Sequence, residues 1–206
     1  MMKRGIGLET LRFIGFAGGK YVLTTYNLPP QYLTLKKEFE FYKNLPTIKL
    51  YENKLFIERA FFVNTVVVLS SEKIVEQMFQ KDFNPNKTVI LEEPPFKNYY
   101  AGKGFADIKK YSEKEIEIEA TSSNGGFLVL TDTFYPGWSV FVDGEKSKIC
   151  RANYIFRAVE IPKGNHIVRF EYKPIFYAAG KIVSVISVFC LIFYFLFGRI
   201  KKYELK

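Results

Sequence analysis

The chain has 206 residues, of which 48% are hydrophobic, 17% aromatic and 25% charged, and its formal net charge is +9. This composition excludes a disordered chain, and two cysteines with a single histidine exclude both a disulfide framework and a zinc site of the usual spacing. The basic residues are spread along the chain and favour anionic lipids, cell-wall polymers or a solvated lysine-rich surface over nucleic acid, so we expect no nucleic-acid partner, no metal and no cofactor.

The first half of the chain predicts a small unit of mixed α and β structure. Residues 8–16 form a predicted short helix, which the glycine pair at positions 18 and 19 ends. A second helix is predicted from Ser70 or Ser71 to about Gln80, because either serine is a suitable N-cap and an apolar face follows. Short strands are predicted at residues 21–25, 39–42, 48–52, 60–69 with an interruption at Asn64, and 88–91.

The second half is a series of short predicted strands joined by tight turns. Phe127–Thr131 is a nearly continuous apolar run, typical of a strand buried on both faces. Asp143–Gly144 is a strong hairpin signal. Further strands are predicted at residues 115–120, 138–142, 148–151, 155–161 and 166–172. The pattern predicts a mainly β fold with minor α structure, built around an antiparallel, jelly-roll-like β-sandwich.

The apolar segment from Ile175 to Phe197 predicts a transmembrane helix. Its only charge is Lys181, near one end, and as a helix it is about 34 Å long, against a hydrocarbon core of about 30 Å. Basic residues follow at positions 199, 201 and 202, and they favour a cytoplasmic C-terminus. The predicted location is the cell membrane, with one pass in this chain and the bulk outside the cytoplasm.

This orientation requires a route for the domain across the membrane. Glu9 and Arg12 interrupt the N-terminal apolar run, so it does not resemble a secretory signal. Either further membrane helices precede this segment in a longer protein, or the domain is cytosolic and tail-anchored, and we favour the first. The predicted organisation is an α+β subdomain (1–92), a linker (93–109), a β-sandwich subdomain (110–174), a transmembrane helix (175–198) and a basic cytoplasmic tail (199–206).

Short motifs in a fixed order link the sequence to a known family. Each is weak alone, but their order and spacing together are fairly specific. They are Tyr51–Asn53, Arg59–Phe61, Asp82–Phe83, Thr88–Glu92, Phe134–Trp138, Val142–Gly144, Arg151–Asn153, Phe156–Val159, Ile161–Gly164, His166 and Glu171–Pro174. This run covers most of the chain and resembles the C-terminal extracytoplasmic region and last transmembrane helix of the YfhO family of bacterial membrane proteins.

The resemblance implies a polytopic membrane protein similar to the C-type glycosyltransferases, which move sugars from lipid-phosphate carriers outside the cytoplasm. Some members are associated with decorating envelope polymers such as teichoic acids. The catalytic acidic residues of that superfamily lie in loops among N-terminal membrane helices, and this sequence contains none of those helices. We therefore expect a module that is not catalytic by itself.

The partners implied are the lipid bilayer, upstream membrane helices or a split glycosyltransferase subunit, and an envelope glycan or lipid-phosphate sugar. The alternative is a stand-alone, membrane-tethered carbohydrate-binding or interaction domain.

Four residues are candidates for substrate contact, and no catalytic residue is predicted. Trp138, the only tryptophan, is either a sugar-stacking platform or a core residue beside a tight turn. Arg151, Asn153 and Arg157 share strand parity if the strand is unbroken. One sheet face would then carry all three, either facing a phosphate or forming a polar outer surface.

Two carboxylates and the histidine have structural interpretations. Asp132, at the end of a buried strand, needs a partner such as Arg157 or Arg151, and a structural ion pair is expected. Asp143 is expected to satisfy backbone groups of its hairpin turn. His166 has no partner nearby in the sequence.

Overall fold

The structure, a computed structural model, describes residues 7–80, 82–95 and 102–203. The helices are α1 (Leu8–Phe16), α2 (Ser71–Phe79) and α3 (Ile175–Tyr203). The first strands are β1 (Tyr21–Thr24), β2 (Leu33–Phe39), β3 (Ile48–Asn53), β4 (Ala60–Val63), β5 (Thr65–Val68), β6 (Thr88–Leu91) and β7 (Gly104–Tyr111). The later strands are β8 (Glu115–Ser122), β9 (Gly126–Thr133), β10 (Trp138–Val142), β11 (Glu145–Ser147), β12 (Ile149–Ala152), β13 (Phe156–Ile161) and β14 (Gly164–Tyr172).

A small antiparallel sheet of order β1-β3-β2 packs against α1. Leu11 of α1 is buried together with Val22 and Tyr51, which lie opposite each other on β1 and β3. The helix approaches the chain after β3 so closely that a Cβ on Gly15 would overlap the Leu55 carbonyl. This approach lets α1 and the small sheet share one apolar cluster.

Two larger sheets form the predicted sandwich. The five-stranded sheet has the order β11-β10-β14-β8-β7, and the six-stranded sheet has the order β4-β9-β13-β12-β6-β5. Among the described strands, all pairings are antiparallel except β5 with β6, which run parallel and are connected through α2. Strands β4, β5 and β6 come from the first half of the sequence, so the six-stranded sheet crosses the subdomain boundary suggested at residue 92.

Strand β9 is buried on both faces, as its apolar run predicted. Phe127 and Val129 point to the cluster that contains the side chains of α1 and α2. Leu128 and Leu130 point between the two large sheets. All four side chains are fully buried, which makes β9 the strand on which both halves of the core depend.

The segment predicted as a linker contains ordered structure at its end. Strand β7 begins at Gly104 and pairs with β8, whereas residues 96–101 lie outside the described residues. The predicted Asp143–Gly144 hairpin is confirmed, because both residues have positive φ, 52° and 86°, as a two-residue type I′ turn requires. Cys150 and Cys190 are both free thiols.

The C-terminal helix leaves the sandwich directly after β14. Its window Ala179–Leu196 has a mean hydropathy of 2.2 and is not buried against the domain. Eighteen residues span about 27 Å as a helix, close to the thickness of a hydrocarbon core. The helix continues to Tyr203, into the segment predicted as a tail. An unburied apolar helix of this length fits a membrane location.

Candidate functional site

One end of the sandwich lies beside the start of α3, and its position is fixed by backbone bonds. The Lys173 amide donates to the Gly137 carbonyl over 2.8 Å, and the Tyr172 amide donates to the Lys114 carbonyl over 2.8 Å. Trp138 is the cross-strand partner of Tyr172, and the centroids of their rings lie 5.2 Å apart. Trp138 therefore lies at the level of the last strand residue before the apolar helix.

Arg157 lies at the same end, at the start of β13, and its side chain is almost completely buried. Its guanidinium carbon lies 4.0 Å from the centroid of Trp138 and 5.2 Å from that of Phe170. Its Nη2 donates to Oδ2 of Asp132 over 2.9 Å. The Nε and Nη1 atoms have no hydrogen-bond partner among the described residues. The ion pair and the two aromatic rings therefore compensate for the lost hydration of this cation.

Asp132 also binds a second arginine and a tyrosine. Nη1 of Arg59 donates to Oδ1 of Asp132 over 2.7 Å and to the Tyr111 hydroxyl over 2.8 Å. The Tyr111 hydroxyl in turn donates to Oδ2 over 3.1 Å. Arg59, Tyr111, Asp132, Trp138 and Arg157 are called the Asp132 cluster below. With two guanidinium groups and one carboxylate, its formal charge is +1.

The protonation states in the cluster follow from burial and from the central carboxylate. Burial raises the pKa of Tyr111 above its ordinary value, and the negative charge of Asp132 adds to this effect. Burial lowers the pKa of Arg157, and Asp132 opposes that change. Tyr111 is therefore a neutral donor at physiological pH.

Arg151 lies next to this cluster and is more exposed. It is the direct cross-strand partner of Arg157, so both side chains start from the same sheet face. The Arg151 guanidinium lies over the ring of Phe134 at 5.1 Å, and its Nη1 is 3.6 Å from Glu92. The expected alternative, a pairing of Arg151 with Asp132, is not formed, and Arg157 is the partner.

Asn153 has a different position from the two arginines. It is fully buried in the turn between β12 and β13, with a φ of 48°. Its Oδ1 accepts a hydrogen bond from the backbone amide of Ile90 over 2.8 Å, and its backbone amide donates to the Ile90 carbonyl. The expectation that one sheet face carries all three polar residues is wrong for Asn153, because the strand breaks into a hairpin there. Asn153 holds that hairpin to β6.

A histidine–aspartate pair lies near the opposite end of the sandwich, and sequence reasoning missed it. Nδ1 of His166 lies 2.6 Å from Oδ2 of Asp143, and the Ile167 amide donates to Oδ1 over 2.9 Å. The hydrogen bond to His166 is the main cause that lowers the pKa of Asp143, and the bond from the Ile167 amide is the second. Asp143 thus connects its hairpin to β14 rather than satisfying only its own turn. Among the described residues there is no group of three or more His, Cys, Asp or Glu that could hold a metal.

Comparison with known proteins matches the segment that contains most of the residues described above. The family model described as "Bacterial membrane protein YfhO" matches residues 95–184. Residues 95–184 belong to the YfhO family. We call the Asp132 cluster together with Arg151 and Tyr135 the rim. All rim residues except Arg59 lie within residues 95–184, which also include the first turns of α3.

A curated relative supports the same assignment. The chain is 20% identical to the uncharacterized protein YfhO of Bacillus subtilis (strain 168) over 117 residues, which are 57% of this chain and 13% of that protein. The aligned part therefore represents a small fraction of the relative's length. No solved structure matches the chain.

Proposed function

We propose that this chain is a membrane-anchored, extracytoplasmic module of a glycosyltransferase-like YfhO protein involved in glycosylating envelope polysaccharide or teichoic acid. The module is not catalytic by itself, and it contacts a lipid-phosphate sugar or its glycan acceptor. The observation that carries the proposal is the net positive Asp132 cluster at the end of the sandwich from which the apolar helix starts.

The exposed groups at this end have the chemistry that a phosphate-linked sugar requires. The side chains of Arg59 and Arg151 are 49% and 43% exposed, so both guanidinium groups are accessible to an anion. Tyr135, in the loop before Trp138, is also exposed. Because Arg157 covers one face of Trp138, a sugar ring would contact Tyr135 and the remaining exposed part of the indole.

The geometry of Asp132 supports binding rather than proton transfer. Both of its oxygens accept bonds from the surrounding side chains, and two arginines face it. With both oxygens engaged by protein donors, neither is left free to take a proton from a bound substrate. The proposed role of Asp132 is to hold Arg59 and Arg157 in place beside the bilayer.

The binding test uses Trp138 as an internal reporter, because the chain contains one tryptophan. The full chain in nanodiscs is titrated with a polyprenyl-phosphate-linked sugar, with the corresponding free polyprenol and with soluble envelope glycan. We expect the phosphorylated lipid to change the fluorescence saturably, and Arg59→Gln and Arg151→Gln to weaken binding about tenfold when combined. Lys146→Gln, at the opposite hairpin, removes a charge without touching the rim and should bind normally.

The outcomes separate the two candidate functions. Saturable binding of the phosphorylated lipid alone supports the glycosyltransferase module. Binding of soluble glycan without the phosphorylated lipid would instead support the stand-alone carbohydrate-binding domain. No change with any ligand, or equal binding by the double variant, would refute substrate contact at this rim.

The proposed orientation has its own test. A Lys146→Cys, Cys150→Ser variant carries its accessible thiol at the β10–β11 hairpin, while Cys190 lies within the apolar helix. In intact cells without an outer wall, a membrane-impermeant maleimide should label this variant and not the Cys150→Ser parent. Labelling only after cell lysis would show that the domain is cytosolic.

A further inference from the structure

A cleft with charged side chains in its lining lies where β14 continues into α3. It has a volume of 880 Å³ and is lined by side chains that include Lys114, Glu115, Arg169, Glu171 and Tyr177. Alternate residues of a strand point to opposite faces, so Glu171 and Tyr172 face opposite ways. Both residues line the cleft, which therefore lies at the end of the five-stranded sheet, and the Tyr172 ring in turn packs on Trp138 of the Asp132 cluster.

The carboxylates of the cleft are already neutralised by neighbouring cations. Glu115 and Glu171 are cross-strand partners, an arrangement that like charges destabilise. Nζ of Lys110 lies 2.6 Å from Glu115, and Nε of Arg169 lies 3.0 Å from Glu171. Lys173 forms a further ion pair with Glu171. The two carboxylates therefore need no additional cation.

Lys114 is the cation of the cleft that has no such partner. Within the described part of the chain its side chain makes no hydrogen bond and no ion pair, and it is exposed. Its backbone is nevertheless fixed, because its carbonyl accepts the Tyr172 amide at the last residue of β14. The lining contains three cations, Lys114, Arg169 and Lys173, and two carboxylates, Glu115 and Glu171. Its formal charge is therefore +1. The cleft thus presents one uncompensated cation at a defined place.

The height of the cleft relative to the bilayer follows from the helix. The apolar window begins at Ala179, and Tyr177, two residues earlier, lines the cleft with a 70% exposed side chain. Two helical residues correspond to about 3 Å. Tyrosine is enriched at the level of lipid headgroups, so the cleft opens into the headgroup layer when the helix spans the membrane.

We propose that this juxtamembrane cleft binds the phosphate of an anionic phospholipid headgroup from the adjacent leaflet, with Lys114 as its principal cation. The site depends on insertion of α3, and its cations, Lys114, Arg169 and Lys173, differ from Arg59 and Arg151, which are proposed to contact the substrate. A bound headgroup would fix the rotation of the domain about the helix axis.

The test measures lipids retained by the full chain. The protein is purified in detergent, mixed with equal amounts of phosphatidylglycerol and phosphatidylcholine, and examined by native mass spectrometry. We expect preferential retention of phosphatidylglycerol, reduced about fivefold in Lys114→Gln and preserved in Lys114→Arg. Lys146→Gln is the matched control at the opposite end, and the combined Arg59→Gln, Arg151→Gln variant should retain the lipid normally.

Four results would overturn the proposal. One is equal retention of the two lipids by the unmodified chain, and another is unchanged preference in Lys114→Gln. The third is complete displacement of phosphatidylglycerol by inorganic phosphate, which would indicate a site for a soluble anion. Loss of lipid only in the Arg59 and Arg151 variant would transfer the binding to the rim and refute the cleft.

Discussion

The guanidinium of Arg157 is stacked on Trp138 at 4.0 Å while it donates a hydrogen bond to Asp132. Both of these partners lie near the end of the sandwich that continues into the apolar helix. A buried arginine held in this way links the two sheets, since Arg157 belongs to one and Trp138 to the other. The same contact makes the fluorescence of Trp138 sensitive to the integrity of the Asp132 cluster.

Replacing Asp132 should destabilise the domain far more than replacing Arg59. Asp132→Asn leaves the buried Arg157 without its counter-charge, and we expect the free energy of unfolding to fall by about 3 kcal/mol. Arg59 is half exposed, so Arg59→Gln should cost about 1 kcal/mol or less. Denaturant unfolding in detergent, followed by Trp138 fluorescence, measures both values. Equal losses in the two variants would contradict the central role of the Arg157 pair.

Two glycines with positive φ should respond differently to alanine. Gly137 has a φ of 103°, and a Cβ there would lie 2.9 Å from the Tyr172 ring and 3.3 Å from Cα of Pro174. Gly144 has a φ of 86° with open space around it. We expect Gly144→Ala to cost about 1–2 kcal/mol of backbone strain, and Gly137→Ala to cost more because overlap at the helix junction adds to strain. Thermal unfolding of both variants tests this order, which a milder effect at Gly137 would contradict.

The Asp143–His166 contact should make stability depend on pH in the acid range. The pKa of Asp143 in the folded state is below its ordinary value of 3.8. The stability that its carboxylate contributes is therefore fully present above pH 3.8 and is lost as the pH falls through the folded-state pKa. Asp143→Asn removes the carboxylate, and asparagine still tolerates the left-handed backbone conformation of this turn position. The free energy of unfolding, measured from pH 6 to pH 2, should therefore fall less in this variant than in the unmodified chain. Parallel curves would indicate that the contact does not contribute.

Trp138 should lie near the bilayer surface in the membrane-embedded chain. Its fluorescence in nanodiscs should be quenched by lipids that carry a quencher in the headgroup, and less by lipids brominated deep in the acyl chains. A Trp138→Phe, Lys146→Trp variant moves the reporter to the β10–β11 hairpin, level with Phe141 and about 10 Å along the strand direction. That variant should show little quenching by either lipid. Equal quenching at both positions would mean that the domain lies flat on the membrane.

The elements with a local signal were predictable, and those defined by pairing were not. The apolar run of β9 and the Asp143–Gly144 turn are properties of a few adjacent residues, and both are confirmed. Strand β2 was missed because its middle is polar and exposed, so only its pairing with β3 defines it. The strand predicted at residues 39–42 does not form as such, since β2 ends at Phe39.

The contacts of the Asp132 cluster were also only partly predictable from the sequence. Its Arg157–Asp132 pair was one of two predicted alternatives, because a carboxylate at a buried strand end requires a counter-charge. Arg59 and Tyr111 were missed, since Arg59 is 73 residues away from Asp132 in sequence. Arg59 reaches Asp132 because β4 pairs with β9, and Tyr111 lies on β7, which pairs with β8. No short sequence pattern encodes these pairings.

The place of β9 between β4 and β13 has a consequence for biosynthesis. Ribosomes produce β4, β5 and β6 well before the strands that complete their sheet, so nascent chains hold these apolar edges without partners for much of translation. Such edges attract chaperones and promote aggregation. Expression of the first half alone should accordingly yield insoluble protein, and co-expression with the second half is the natural route to recover it.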